Sequence, residues 1–500
     1  MSSQNTDVVR TSKVLNSALW NIIGRLAPIA VTLMAIPPLI ATLGTARWGI
    51  MTIALTLVGT FGIFDLGLGR ALTRAIAENI TAGRTEESAD ITITGVLTLG
   101  GLGVLAAMVA AGLTGLYVDH GLKISPDLRT ETRDAIWILC ATAPLVLVNA
   151  ALWGVISAYH KFRAANLLNI PINILYYLGP LLLLQVWNSL CAVMIALAAC
   201  RLAMTIGYAV IALQVMPELK KAQFRGSLLI PLWKIGGWMT VSNLTFPILT
   251  YCDRFLVGVM VPASFIAYYT TPLDVVGRFS IITLAVTGSA FPALARSWRV
   301  DTENTRDVFL HSSLAILGTL FPVCLFTALM STQLLTLWLG ADFAQHSAFI
   351  ASLLCCGLLF SGLDTMSAGL LDAIGRPDVN AKFSLLELII YLPVLGTALH
   401  FFGLSGAAIA WLIRSILDCL LRFHVASIFY PAIKQVVIKL EYLMLAAFLI
   451  FGSIFLHFSV IESAILAAIE IAVFEMLIFY GFLRNKFNFS EIFRKKILNK

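Results

Sequence analysis

The sequence predicts an all-α polytopic membrane protein of about 14 transmembrane helices. Three observations carry that class. Hydrophobic residues make up 59% of the chain against 12% charged, and mean hydropathy is +0.90, far too apolar for a water-facing fold. The apolar residues come in runs close to the ~20 residues that cross a bilayer. Positive charge is also divided by side. Of 34 lysines and arginines, 25 fall in the loops and tails that share the side of the N-terminus, four (Arg47, Lys123, Arg129, Arg133) fall opposite, and five lie inside spans. Such a bias predicts that both termini are cytoplasmic.

In chain order, residues 1–15 are polar and the apolar run after them is too long for a signal-peptide core, so helix 1 is expected to be retained. Helices 1 and 2 (16–42 and 48–69) form a hairpin about a turn at 44–47. Helix 1 carries Arg25, and an arginine in hydrocarbon costs roughly 3 kcal/mol or more, so it is expected to face a partner, a wet cavity or an anion. Helix 2 closes on Asp65-Leu-Gly-Leu-Gly-Arg70, whose Gly67 and Gly69 give a flexible end, and Arg70, Arg74 and Arg84 make the following loop basic. Helices 3 to 6 follow at 91–118, 135–159, 164–186 and 190–216, the last carrying Arg201. Helices 7 to 12 occupy 233–260, 265–293, 308–330, 346–371, 383–402 and 406–428, with Arg254 in helix 7, Arg278 in helix 8, Asp364 in helix 10 and Arg414 in helix 12. Two more spans, 441–460 and 464–483, precede a basic tail. Prolines at 28, 37, 38, 171, 180 and 272 interrupt helices 1, 5 and 8, where freed backbone groups permit bending.

An internal repeat is visible. Trp20 to Pro28 opens helix 1 much as Trp238 to Pro247 opens helix 7. Arg201 follows the loop at His160 by 41 residues, and Arg414 follows the loop at Gly375 by 39. Six helices is an even number, so the two halves are expected to share orientation as parallel repeats. The expected domains are a six-helix bundle over 1–217, a second over 218–430, and the last two helices with the tail over 431–500.

Several classes are excluded. Connections of about 20 residues or fewer leave no room for a folded extramembrane domain, so the work must be done within the helices. The net charge of +7 lies mostly in short loops and a tail, where it sets topology rather than binding nucleic acid. All eight cysteines lie in apolar runs and read as small reduced hydrophobes. The seven histidines show no metal-ligand spacing, and no phosphate-binding GxxxxGK[ST] occurs. Neither a metal, a cofactor nor an enzymatic activity is expected.

The order of these features is itself informative. An apolar helix with Arg25, then Leu43-Gly44, then Trp48-Gly49, then a helix ending in Asp65-Leu-Gly-Leu-Gly-Arg70, resembles the start of the polysaccharide transporter branch of the multidrug/oligosaccharidyl-lipid/polysaccharide (MOP) exporter superfamily. Its bacterial members include Wzx-type O-antigen flippases, and the hydropathy pattern extends the likeness over nearly the whole chain. The resemblance implies a MATE-like fold with two additional C-terminal helices. It implies a flippase of the bacterial inner membrane that carries an undecaprenyl-diphosphate-linked oligosaccharide from the cytoplasmic to the periplasmic leaflet. It also implies a polysaccharide polymerase and a chain-length regulator as partners, and a groove for the polyprenyl tail at helices 13 and 14.

The candidate substrate ligands are the intramembrane arginines Arg25, Arg201, Arg254, Arg278 and Arg414. Arginine stays protonated and binds phosphate through paired hydrogen bonds, so together they could line a cationic, alternating-access path for a diphosphate. Each also has a bland reading. Asp274 with Arg278, and Arg414 with Asp418, stand at i,i+4 and can neutralise each other. Arg254 can snorkel to the interface, and Arg201 can pair across helices, for example with Asp364. Among the intramembrane acids, Asp364 and Asp274 are candidates to couple transport to a proton or sodium gradient, although for Asp364 the counter-ion of a buried arginine is the favoured role. A cation-exporting drug transporter of the same superfamily is the rival reading, and a membrane-embedded polymerase or ligase a more distant one.

Overall fold

The computed structural model describes residues 29–230, 245, 247–456 and 459–481 in full, and the helical backbone alone over 3–28, 231–244, 246 and 482–483. Its helices are α1 (Ser3–Thr60), α2 (Leu68–Thr81), α3 (Thr85–Leu116), α4 (Pro126–Cys140), α5 (Ala143–Ala158), α6 (Phe162–Leu184), α7 (Leu190–Val215) and α8 (Leu229–Met260), then α9 (Ala263–Gly277), α10 (Ser280–Ser297), α11 (Thr302–Leu329), α12 (Ser331–Leu339), α13 (Ala341–Ala373), α14 (Pro377–Phe429), α15 (Lys434–Phe451) and α16 (Val460–Ile478). The chain is an all-α polytopic membrane protein. Among the described residues, 11 helical stretches are long and apolar enough to cross a bilayer. Two of these stretches are bent into pairs at a glycine. In α1 the bend is Gly44 (φ 77°), inside the expected turn, and in α14 it is Gly403 (φ 58°). Both occupy the left-handed region that glycine enters without a Cβ clash.

The chain forms two compact units, Met1–Ala267 and Tyr268–Lys500. In the first, the core gathers Leu68, Leu72 and Ile76 of α2 against Leu99 of α3, Leu147, Ala151 and Val155 of α5, and Tyr208 of α7. The segment after Arg70, expected as a loop, is therefore the amphipathic helix α2: at 14 residues it is too short to span, and its apolar stripe packs onto the unit. Beyond α7, the connector is pinned to α3. The Asp90 carboxylate accepts the Gln223 backbone N–H at 2.7 Å and pairs with Arg225 at 2.8 Å, and the Thr94 hydroxyl accepts the Arg225 N–H at 3.0 Å. These contacts satisfy backbone donors that a surface connector would otherwise leave to water.

In the second unit α13 is central, and its most apolar stretch is 83% buried. The C-terminal helices join this unit through aromatic packing: Phe474 of α16 stacks on Phe321 of α11 at 3.8 Å, and Phe451 of α15 meets the same ring edge-on at 5.8 Å. In a bilayer such van der Waals packing, rather than escape from water, holds helices together. The two limbs of α14 touch so closely that a Cβ on Gly406 would overlap the Ala398 carbonyl.

Two helices differ from expectation. Helix 4 is built from α4 and α5 with a break at 141–142, just before Pro144, which has no N–H to donate to the Cys140 carbonyl four residues back and whose ring crowds it. Helix 8 is broken between Gly277 and Ser280, so Arg278 sits in the turn joining α9 to α10 and is exposed, not in mid-helix. All eight cysteines are free thiols.

Candidate functional site

Charged side chains inside the spans converge in the second unit. Asp364 on α13 lies 2.9 Å from Nε of Arg422 on the second limb of α14. Arg422 also faces Glu387, on the first limb, at 3.8 Å. Glu387 in turn accepts a hydrogen bond from Nε of Arg414 at 2.5 Å, and Arg414 stands 3.5 Å from Asp418. The expected i,i+4 pairing of Arg414 with Asp418 is therefore present but secondary to Glu387. Both guanidiniums are also covered by rings, Arg414 by Tyr391 at 4.7 Å and Arg422 by Phe383 at 4.5 Å. Arg422 and Glu387 are each only 8% exposed.

This arrangement follows from the bend at Gly403. Folding the helix back on itself brings 387 opposite 414 and 383 opposite 422, so acids of one limb meet bases of the other. Buried charges need such partners, because removing one leaves the other stranded in low dielectric. The set holds three carboxylates and two guanidiniums, one acid in excess. Beside it a cavity of about 120 Å³ is lined by Glu387, Tyr391, Arg414 and Asp418 among aliphatic side chains of both limbs.

Two of these residues escaped the sequence reading. Arg422 counts there among the loop charges, whereas the structure buries it; the counting window placed it at a helix end. Glu387 was hidden in an apolar run. A signal did exist: Arg414, Asp418 and Arg422 are spaced by four, which puts all three on one helical face. Asp364 faces Arg422 rather than Arg201.

The other candidates have different partners. Arg201 sits on α7 in the first unit. Its Nη2 donates to the Tyr176 hydroxyl of α6 at 3.3 Å, and its guanidinium lies 5.9 Å from that ring's centre. Nε of Arg201 is buried without a hydrogen-bond partner, and among the described residues no carboxylate pairs with it. Arg254 on α8 donates from Nη1 to the Thr56 hydroxyl at 3.3 Å and lies 6.0 Å from the Tyr251 ring. Its neighbour Asp253 is buried, and that carboxylate accepts the Arg254 backbone N–H at 2.8 Å. Asp274 is on α9, close before the turn that holds Arg278. Arg25 lies outside the described residues.

The Asp65-to-Arg70 motif forms a joint rather than a simple helix end. A short tight turn of helix, Phe61–Asp65, stops at Leu66 (φ 48°) and Gly67 (φ 77°), and α2 then begins. Asp65 Oδ1 accepts the Gly69 N–H at 2.8 Å, satisfying one of the orphan donors at the start of α2.

Comparison with known proteins places this geometry in a group. The family model described as polysaccharide biosynthesis protein matches residues 14–298, more than half of the chain. A protein of Shigella flexneri named as an O-antigen transporter is 29% identical over 424 residues, covering 82% of this chain and 96% of its own. Among solved structures, an inward-facing multidrug resistance MATE family transporter of the MOP superfamily aligns with a TM-score of 0.67 at 14% identity, over 83% of this chain and 99% of its own. The lipid II flippase MurJ in an inward closed conformation aligns with a TM-score of 0.66 at 13% identity, over 93% and 99%. At such identities the structural likeness speaks for the fold.

Proposed function

We propose, since this chain belongs to the polysaccharide biosynthesis protein family and has the fold of the MOP exporters, that it is a flippase for an undecaprenyl-diphosphate-linked oligosaccharide. It carries that substrate from the cytoplasmic to the periplasmic leaflet of the bacterial inner membrane, with both termini in the cytoplasm. It is a transporter and not an enzyme: the lipid-linked sugar leaves unchanged, and a polysaccharide polymerase and a chain-length regulator act on it afterwards.

The observation that carries this reading is Arg201. A guanidinium inside an apolar helix, held by one phenol and faced by no carboxylate among the described residues, is a costly feature for a merely structural role. It suits a ligand that brings the negative charge, and a diphosphate offers paired oxygens to a guanidinium. Arg254, Arg278 and Arg25 are assigned supporting contacts along the alternating-access path. Arg414 is assigned to the ion-pair network of the second unit, because Glu387, Asp418 and Tyr391 already surround it. In that network the acid in excess, with Asp364 at one end, is assigned to take up a proton or sodium ion that drives the cycle. Asp274 is the second coupling candidate.

The experiment is flipping of a fluorescent polyprenyl-diphosphate oligosaccharide in liposomes, comparing wild type, Arg201→Ala and Arg201→Lys. Losing one charge-assisted phosphate contact should slow flipping by about tenfold or more in Arg201→Ala, with Lys restoring part of it. One observation favours a second reading, a drug exporter: the excess of acid beside the small apolar cavity of the second unit would suit a lipophilic cation. Normal flipping by Arg201→Ala removes Arg201 from the path. Export of a cationic dye by a wild type that flips nothing replaces the flippase with the exporter.

A further inference from the structure

We propose that the Asp65-to-Arg70 motif builds a receiving site for a glycosyl diphosphate, in the groove between α2 and α5. The inference rests on the flippase reading and adds to it the first contact with the substrate head. The groove has a volume of about 490 Å³, within the range of small-ligand sites, and is lined by Arg70, Thr73 and Arg74 of α2, Asp65 before it, and Trp153 and Ser157 of α5. It lies where α2 starts and α5 ends, at the edge of the spans, while a lipid tail remains in the bilayer.

The groove is built rigidly. A Cβ at Gly69 would lie 3.2 Å from Asp65 Oδ1 and 3.4 Å from the Ala150 carbonyl, and one at Gly154 would lie 3.1 Å from the Thr73 hydroxyl and 3.3 Å from the Gly69 carbonyl. The two backbones are thus in direct contact through glycine. Asp65 is fixed by the Gly69 N–H, and Arg74 is paired with Glu78 through a 2.8 Å bond from its Nε. The Trp153 ring is 37% exposed yet backed by Tyr208 at 5.9 Å and Phe162 at 6.2 Å. Such preorganisation lowers the entropy lost on binding.

Each wall has its own chemistry. Two guanidiniums match the two phosphates. An indole face is an apolar platform for the C–H face of a pyranose ring, which almost every sugar presents. Asp65, Thr73 and Ser157 offer acceptors and hydroxyls for sugar hydroxyls. An anionic phospholipid shares the phosphate chemistry but lacks the ring, and this separates the two sources of such a head.

The test is equilibrium binding to the full-length protein in phosphatidylcholine nanodiscs, with farnesyl diphosphate and N-acetylglucosaminyl farnesyl diphosphate as probes. Wild type should prefer the glycosylated probe. Arg70→Gln and Arg74→Gln should each weaken both probes about tenfold. Trp153→Leu should abolish the preference, and Trp153→Tyr, which keeps a ring against Tyr208 and secures folding, should retain it. Variants that bind both probes as wild type does overturn the proposal, and so does displacement of the glycosylated probe by an equal concentration of phosphatidylglycerol. In flipping assays Arg70→Gln should raise the half-saturating substrate concentration more than it lowers the maximal rate. If wild type flips and every groove variant matches it at all concentrations, the groove falls and the flippase stands. If wild type neither binds the glycosylated probe nor flips, the flippase reading falls and this inference with it.

Discussion

Arg422 holds two carboxylates at once, and its neutral replacement tests what the buried network contributes. Arg422→Ala leaves Asp364 and Glu387 without their shared base, and breaking a buried pair in this way costs about 3–5 kcal/mol. The expected result is a clear fall in thermal unfolding temperature in detergent, partly reversed by adding Asp364→Asn. Arg201→Ala should behave in the opposite sense, with little change in unfolding temperature but slower flipping, because among the described residues it strands no acid. The contrast also marks what the sequence could reveal. Arg201, Arg254 and Arg414 were legible one by one from their apolar surroundings, whereas Arg422 was not. The i,i+4 partner Asp418 was legible too, but Glu387 was not, because it meets Arg414 only after the chain folds back over 27 positions.

At the level of elements, glycines set the tight joints. Gly403 lets α14 reverse and Gly406 lets the limbs meet, so Gly406→Leu should force them apart and abolish the folded, monodisperse protein on size-exclusion chromatography. The turn at Gly44 was readable in advance because two apolar runs flank it. The helix α2 was not, since a 14-residue amphipathic piece gives no spanning signal, and neither was the break that exposes Arg278. The Asp90 pin yields a separate prediction. Asp90→Ala frees the Gln223 N–H and Arg225, so hydrogen exchange over 221–226 should rise while α3 and α7 keep their protection. Unchanged exchange there would mean that Thr94 alone holds the connector.

For the whole molecule, composition sufficed for class, since it rests on sums over hundreds of residues and not on any one contact, and the charge bias is the ground of the orientation proposed. Orientation is checked by single-cysteine labelling in intact cells on a cysteine-free background. Positions beside Lys123 should react with a membrane-impermeant thiol reagent from outside, and positions beside Lys382 should react only after permeabilisation. The mechanism is the part that single residues and their partners decide. Its central claim is that the transported lipid is recognised by its diphosphate. The measurement that tests this most directly compares two fluorescent lipids with the same polyprenyl tail and the same glycan, one joined through a diphosphate and one without it, in liposomes holding wild-type protein. Leaflet exchange is read by an impermeant quencher. The account predicts rapid exchange of the diphosphate lipid and exchange of the other no faster than in empty liposomes. Equal exchange of both, or none of either, would contradict it.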